Sequence, residues 1–282
     1  MPTPSLPIVP GDGFSRVAFP RERHFILDGL RLGHGKPMIH GFLEIDVTRA
    51  RQLLRAHRER SGESFSFTAF VIGCLGKAVA AHRDVQALRD LLGRLVLFDD
   101  VDVTTIVEVE VEGRHFGLAH VVRASQRRTL REIHDEIRGV QGRGMGSVKG
   151  PGKLGARLAL WVPGFLRRLV FRFLLRVPRL ARRVGTVAVT AVGMFGGGVG
   201  WGIAAPTIYP LSLVVGGIAP RAATGEETSE PREILCLTVS ADHAIVDGAP
   251  LARFVRDLRS LLEAADGLEE AVGTGASGGS TT

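Results

Sequence analysis

The pattern best suited to chemistry in this sequence is DHAIVDG, which runs from Asp242 to Gly248. The apolar residues 234–240 before it predict a strand, so His243 is expected at a strand end, on a rigid scaffold. An imidazole titrates near neutral pH and suits proton transfer. Asp247 could fix the loop or hold a counter-charge, and Gly248 permits a tight turn. A polar strand end followed by a helix cap also fits this short pattern.

Several further elements are predicted to position that loop. Apolar residues at helical spacing predict a helix from Phe67 to about 82–84, and strict alternation predicts a strand from Asp102 to Glu112. Thr129 with Glu132 forms a capping-box pattern before another helix. Further strands are predicted at 42–47, 95–98, 185–192 and 211–218, and helices at 49–60 and 250–264. Strands and helices without regular βαβ alternation indicate an α/β sandwich with a mixed sheet.

Composition narrows the class of protein. The chain has 282 residues, of which 45% are apolar, so a large buried core is expected. Cys74 and Cys236 lie in apolar stretches, which predicts buried free thiols and neither a disulfide framework nor a metal site. The Pro-rich N-terminus does not resemble a secretory signal, and no clear membrane span is present in the sequence. We therefore expect a cytoplasmic protein.

The net charge of +7 is unevenly distributed. No Asp or Glu occurs between Glu136 and Glu226, whereas this interval contains 13 Lys and Arg residues. A concentrated positive field attracts anions. The candidates are the phosphates of a nucleotide-like cofactor, an anionic membrane surface, an acidic partner and nucleic acid. The last is the weakest, because aromatic residues for base stacking are sparse outside the segment 154–183.

The segment Leu237–Leu258 closely resembles the active-site region of the catalytic (E2) acyltransferase domain of 2-oxo acid dehydrogenase complexes. It also resembles chloramphenicol acetyltransferase, which shares that fold. Three other stretches are similar to segments of this superfamily: Phe19–Phe25, Phe65–His82 and Gly185–Gly196. The resemblance covers about 16–137 and 185–263 in the right order. It implies a chloramphenicol acetyltransferase-like two-layer α/β sandwich, with helices packed on a mixed β-sheet.

The resemblance also implies roles for individual residues. His243 takes the place of the general base, and Asp247 that of an aspartate in a structural salt bridge with an arginine near the N-terminus. The matching arginine is Arg21, although Arg23 is a close alternative. Thr190 falls where the family has an active-site serine, so its hydroxyl is expected to stabilise the oxyanion formed on the thioester carbonyl. A plain β-forming threonine is the alternative interpretation of Thr190.

We therefore expect an acyltransferase that uses coenzyme A, as acyl-CoA, and a thiol, hydroxyl or amine acceptor. No metal and no lipoyl attachment on this chain are expected, and the resemblance implies a homotrimer with active sites at subunit interfaces. One alternative is a dihydrolipoamide acyltransferase that acts on a lipoyl carrier on another chain. Another is a non-catalytic scaffold of the same fold that binds coenzyme A or lipid.

The predicted domain plan has an N-terminal extension at 1–15, a catalytic domain at 16–265 and a disordered Gly/Ser-rich tail at 266–282. Within the domain, a Gly-rich breaker at 139–155 opens a basic, apolar insertion at about 139–184. Its segment 154–183 suits contact with an anionic membrane, a lid over an acyl chain or a subunit interface. The glycines at 196–202 are not followed by the Gly-Lys-Ser/Thr of a phosphate loop. The whole loop Gly193–Gly202 is instead expected to form a flexible wall of the active site, lined by Met194, Phe195 and Trp201.

Overall fold

The computed structural model describes residues 9–11, 13–16, 19, 23–111, 114–143, 161–193, 198–221 and 231–273. Ten strands are present in these residues. They are β1 Val9–Gly11, β2 Phe14–Arg16, β3 Met38–Asp46, β4 Leu88–Arg89, β5 Leu95–Val96, β6 Val103–Val111, β7 Arg114–Val122, β8 Val187–Ala191, β9 Leu211–Arg221 and β10 Arg232–Asp242.

Eight α-helices lie in the same residues, together with short 3-10 turns. They are α1 Arg23–Gly33, α2 Thr48–Ser61, α3 Phe67–Ala81, α4 Leu130–Arg143, α5 Gly164–Arg176, α6 Pro178–Ala181, α7 Gly248–Glu263 and α8 Leu268–Gly273. None of the helices in the described ranges is long and apolar enough to cross a membrane.

Six strands form one mixed sheet in the order β3-β10-β9-β8-β6-β7. Strand β10 is antiparallel to both of its neighbours, whereas β8 is parallel to β9 and to β6. Strands β1 and β2 pair only with each other, as do β4 and β5. The mixed sheet with helices packed on it agrees with the predicted architecture. The end of β10 and the starts of β9 and β8 lie side by side, at the same end of the strands.

One face of the sheet packs against α3, α4 and α7 to form the core. Alternate valines and leucines of β6, β8, β9 and β10 point into this core, as the period of two along a strand requires. Helix α3 is apolar on nearly all sides, and ten of its fifteen residues are buried. The predicted helix from Phe67 is thus a central core element. The alternation predicted for β6 is also confirmed, since Val103, Val107 and Val109 are buried.

Helix α4 begins with the predicted capping box. The Thr129 backbone N–H donates to the Glu132 carboxylate at 2.8 Å, and the Glu132 N–H donates to the Thr129 hydroxyl at 3.2 Å. The prediction of a breaker from Gly139 is wrong at its start, because α4 continues to Arg143. Buried Ile137 and Val140 keep that last turn on the core, which outweighs the low helix propensity of Gly139.

The predicted disordered tail also begins too early. Residues Leu268–Gly273 form helix α8, and Leu268, Ala271 and Val272 are buried in the core. These three apolar side chains are too few to show a period in the sequence. Their burial against α2 and α4 nevertheless holds this helix in place. At the other end, the pairing of β2 with β1 extends across the predicted boundary at residue 16.

Candidate active site

The loop that carries His243 joins β10 to α7. The His243 backbone N–H donates to the Pro37 carbonyl at 2.8 Å, and the Asp242 N–H donates to the Pro210 carbonyl at 2.8 Å. The Ile245 and Val246 N–H groups both donate to the Asp242 carbonyl, which closes a turn directly after the strand. Val246 is buried and anchors this turn in the core. The main chain therefore fixes the position of His243, although its side chain is 47% exposed.

The two nitrogens of the His243 ring have different surroundings. Nδ1 lies 3.1 Å from the Val246 carbonyl oxygen. A carbonyl oxygen can only accept a hydrogen bond, so in the neutral ring the proton resides on Nδ1. Nε2 then keeps its lone pair. The loop thus places an exposed imidazole in the tautomer that a general base needs.

Asp247 is close to this histidine but is not held by an arginine among the described residues. Its Oδ1 lies 3.8 Å from Nδ1 of His243, and its side chain is 87% exposed. Asp247 is also the N-cap residue of α7, without a capping hydrogen bond from its side chain. Arg21 lies outside the described residues, and Arg23 is exposed at the start of α1. The predicted salt bridge to Arg21 therefore stays a prediction.

Thr190 lies on β8, and the sheet register separates it from His243. Its neighbours Val187 and Val189 point into the core, so the half-buried Thr190 side chain faces away from the helices. Across the sheet Thr190 pairs with Val214, and Val214 pairs with Thr238 of β10. Thr238 precedes His243 by five residues, which places the two candidate groups ~16 Å apart along the strand and ~10 Å apart across two strand spacings. One chain therefore does not bring Thr190 and His243 together.

Lys36 is a site residue that the sequence does not indicate. Its ammonium lies 3.5 Å from the Asp242 carboxylate and donates to the Ile208 carbonyl at 2.8 Å. Burial lowers the pKa of Lys36, and the charge of Asp242 acts in the opposite direction. Asp242 also accepts from the Ala244 N–H at 3.1 Å. The pair thus fixes the chain on both sides of His243.

A cavity of about 410 Å³ lies beside the same loop and is bordered there by Asp242, Ala244 and Ile245. His243 itself is not part of the wall. Five cationic side chains line the cavity: Arg31, Lys36, Arg89, Arg172 and Arg176. Lys36 is paired with Asp242, whereas the other four, all arginines, form no ion pair within the described ranges. A cavity with this lining is suited to an anionic group.

The glycine-rich segment after β8 packs on the sheet as far as the structure describes it. The Gly217 N–H donates to the Gly200 carbonyl at 2.9 Å, and Trp201 Nε1 donates to the Leu43 carbonyl at 3.1 Å. A Cβ on Gly217 would lie 1.9 Å from the Gly198 carbonyl oxygen, so only glycine allows this close approach. Met194 and Phe195 lie outside the described residues. Trp201 covers the sheet face away from the helices, the face to which Thr190 belongs.

One group of side chains has the composition of a metal site: Glu63, His134 and Asp135. Nδ1 of His134 accepts from the Ser66 N–H at 3.0 Å, so a neutral ring carries its proton on Nε2 and donates it to Glu63. Arg131 already neutralises Glu63 through two contacts of 2.7 and 2.8 Å. These contacts occupy the Glu63 carboxylate and both ring nitrogens of His134, which fits a structural cluster.

The comparison with known families bears on the C-terminal third of the chain. Residues 182–269, which include β8, β9, β10, His243 and α7, match the family model described as 2-oxoacid dehydrogenases acyltransferase (catalytic domain). The resemblance to these acyltransferases is confirmed. Residues 182–269 are therefore similar to the catalytic domain of this acyltransferase family. Comparison with curated proteins gives no match by sequence.

Solved acyltransferase structures share the fold of the whole chain. The dihydrolipoamide acetyltransferase of Azotobacter vinelandii has a TM-score of 0.66 at 17% identity, covering 93% of this chain and 98% of that one. A probable dihydrolipoamide acetyltransferase of Listeria monocytogenes has a TM-score of 0.65 at 16% identity, covering 90% and 96%. The cubic core of a pyruvate dehydrogenase complex has a TM-score of 0.64 at 16% identity, covering 94% and 99%. The predicted fold class is therefore confirmed.

Proposed function

We propose that this acyltransferase moves an acyl group between coenzyme A and a thiol, hydroxyl or amine acceptor, with His243 as the general base. The observation that carries the proposal is the hydrogen bond between Nδ1 of His243 and the Val246 carbonyl, because it leaves Nε2 as a proton acceptor on an exposed ring. The rigid loop fixes that nitrogen before substrate arrives, which lowers the entropic part of the barrier.

In the proposed reaction, Nε2 of His243 takes the proton of the acceptor as the acceptor's heavy atom attacks the thioester carbonyl carbon. A new bond forms at that carbon, and its oxygen becomes an oxyanion. The Thr190 hydroxyl donates a hydrogen bond to this oxyanion. The carbon–sulfur bond then breaks, and the imidazolium returns its proton to the departing thiolate, which yields free coenzyme A.

A shared site is part of the proposal, because Thr190 and His243 lie far apart in one chain. We propose a homotrimer in which His243 works with Thr190 of the partner subunit. The shared fold with subunits of a cubic acyltransferase core supports such an assembly. Work on the A. vinelandii enzyme names a serine, a histidine and an asparagine in its catalytic mechanism. Thr190, His243 and Asp247 are the corresponding candidates in this chain.

The cationic cavity beside the loop supports coenzyme A as the carrier of the acyl group. Its arginines lack carboxylate partners among the described residues, and phosphate groups are the ligands that arginine forks bind best. The cavity also adjoins the residues that flank His243, so a bound phosphate group would lie close to the catalytic loop. Arg172 and Arg176 come from the predicted basic insertion, which thereby contributes to the site.

The experiment is an acyl-CoA assay that measures release of free coenzyme A with dihydrolipoamide, amine and alcohol acceptors. His243→Ala is expected to lower kcat about 10²–10⁴-fold without loss of the fold, because a general base contributes on that scale. His120→Ala is the matched control, since His120 lies on the edge strand β7 at the far side of the sheet. Equal rates for wild type and His243→Ala would remove His243 from the mechanism.

The same assay separates the second candidate, a dihydrolipoamide acyltransferase that serves a lipoyl carrier on another chain. The family match supports this candidate. Fast transfer to free dihydrolipoamide, with slow transfer to amines and alcohols, favours it. Binding of coenzyme A without turnover across the acyl-CoA and acceptor panels favours the non-catalytic scaffold.

A further inference from the structure

Helix α5 presents an apolar face to the outside of the protein. Phe165, Leu169 and Phe173 are 69%, 62% and 53% exposed, and their spacing of four places them on one line along the helix. Leu166 and Val170 widen this line and are 42% and 48% exposed. We call these five residues the outward face of α5. Exposed large apolar side chains that adjoin one another mark interaction sites more often than single ones do.

The opposite side of α5 is fixed to the protein, so the helix cannot turn to hide the outward face. Arg167 is buried and forms an ion pair with Asp28 of α1, which is buried as well. The Arg167 guanidinium also lies 5.5 Å from the ring centre of Phe25, and the Phe171 ring meets the same ring edge to face at 6.4 Å. Breaking a buried ion pair of this kind is strongly unfavourable.

Arginines border the outward face. Arg168, Arg172 and Arg176 follow one another at a spacing of four along one side of the helix, and Arg179 and Arg183 continue beyond its end. Of these, Arg172, Arg176, Arg179 and Arg183 form no ion pair within the described ranges. The sequence has no Asp or Glu between Glu136 and Glu226 that could neutralise them locally.

We propose that the outward face of α5 docks on a membrane surface that contains anionic phospholipids. The phenylalanine and leucine side chains then enter the boundary between headgroups and acyl chains, and Arg179 and Arg183 bind lipid phosphates. A second copy is a poor occupant in a twofold contact, because two outward faces would bring two sets of arginines together. A contact with a different surface of a second copy is an outcome that the test below distinguishes. The proposal does not depend on acyl transfer.

The docked orientation has a consequence for the cavity beside the His243 loop. Arg172 and Arg176 line that cavity from the same helix. A chain held by the outward face of α5 therefore has the cavity at the lipid surface, where the local concentration of an acyl compound with a lipid chain is high.

The test is sedimentation of the full-length protein with vesicles of phosphatidylcholine, alone or mixed with phosphatidylglycerol. Wild type is expected to bind only the anionic vesicles, and added salt should weaken binding. Leu169→Ser with Phe173→Ser should reduce binding at least about tenfold, since two large apolar groups leave the interface. Leu92→Ser is the matched control, because Leu92 is 75% exposed on the turn between β4 and β5.

A second pair of variants tests the charge. Arg179→Gln and Arg183→Gln should each lower the affinity for anionic vesicles by about fivefold, the factor that corresponds to one arginine at such a surface. Analytical ultracentrifugation of every variant reads the oligomeric state. Unchanged vesicle binding by the Leu169/Phe173 variant would overturn the proposal. The same variant changing the oligomer instead of vesicle binding would identify the outward face as a subunit contact, which also overturns it.

Discussion

At the scale of single residues, the position of His243 depends on groups that are distant in sequence. The Pro37 carbonyl accepts a hydrogen bond from the His243 backbone N–H, and Lys36 neutralises the preceding Asp242. The pattern around His243 indicates a catalytic histidine by its resemblance to a family, but nothing in it points to Lys36. A lone lysine in the stretch Gly33–Pro37 has no periodic or motif context, so only the folded chain reveals its partner.

We predict that Lys36→Met destabilises the protein and disturbs catalysis. The Asp242 side chain is only 8% exposed and would lose its counter-charge, although Lys36 is itself 23% exposed. The expected loss in the free energy of unfolding is about 2 kcal/mol, below the range for fully buried pairs. Urea denaturation measures this loss, and kcat with acyl-CoA measures the effect on the loop.

A double-mutant cycle provides the control for Lys36→Met. Adding Asp242→Asn should restore part of the lost stability, because the carboxylate charge that lacked a partner is then absent. Asparagine also keeps an oxygen that can accept from the Ala244 N–H. Strictly additive losses from the two substitutions would mean that Lys36 and Asp242 do not interact.

At the scale of elements, the sequence predicts those whose apolar pattern is long and regular. Helix α3 and strand β6 agree with their predicted ranges because burial is imposed along their whole length. The sequence patterns do not predict helix α1 or strand β7. Strand β7 contains Gly117 and two histidines, and it is a strand because β6 pairs with it along its length. Helix α1 owes its position to contacts with α5, which no local pattern encodes.

The cluster around Glu63 joins three helices and makes stability depend on pH. Its carboxylate contacts Arg131 and His134 of α4 and His57 of α2, and Arg131 donates to the Ala271 carbonyl of α8 at 3.1 Å. The hydrogen bond from Arg131 is the main cause that lowers the pKa of Glu63 to about 2. Burial lowers the pKa of His134, so that its neutral form is favoured in the folded protein.

We predict that the protein loses stability in acid in two stages. His134 has a lowered pKa in the folded state, so its neutral form stabilises the folded protein above about pH 6.5. This contribution to the free energy of unfolding is lost as the pH falls below that value. Glu63 follows: its contribution is present above pH 4.5 and is lost as the pH falls towards 2. The measurement is the free energy of unfolding as a function of pH.

Glu63→Gln is the matching variant for the second stage. It should lower the free energy of unfolding at pH 7 by about 1 kcal/mol, a modest loss because the carboxylate is 40% exposed and screened by solvent. It should also flatten the pH dependence between 4.5 and 2. The same acid slope in wild type and Glu63→Gln would show that other carboxylates dominate the acid lability.

At the scale of the whole molecule, the sheet explains why the sequence suggests candidate site residues but not their distance from one another. The register of β8, β9 and β10 places Thr190 and His243 at different heights of one sheet. The resemblance of the segments around Thr190 and His243 to a family suggests both residues. Their separation depends on strand order and register, which arise from pairings distant in sequence, and no local pattern contains that information.

We predict that inactive variants complement each other in mixed trimers. A His243→Ala subunit supplies an intact Thr190, and a Thr190→Val subunit supplies an intact His243. When the two are co-expressed in equal amounts, roughly a quarter of the sites in a cyclic trimer combine both intact residues. Activity of the mixed trimers, isolated through two different affinity tags, should therefore far exceed that of either parent.

The parents provide the reference for this experiment. Thr190→Val alone should lower kcat about 10²–10³-fold, the loss typical of one missing oxyanion donor. If each site used the His243 and Thr190 of the same chain, every mixed trimer would show only the average of the two parents. That result would contradict a site shared between subunits.

The wide separation of Thr190 and His243 on the sheet also bears on how the activity responds to concentration. If His243 works with Thr190 of the partner subunit as proposed, a single chain has no complete site and is inactive until it assembles with other copies. Specific activity should then rise with protein concentration and level off once every chain is assembled. Dilution alone would then lower the specific activity, without an inhibitor or a covalent modification.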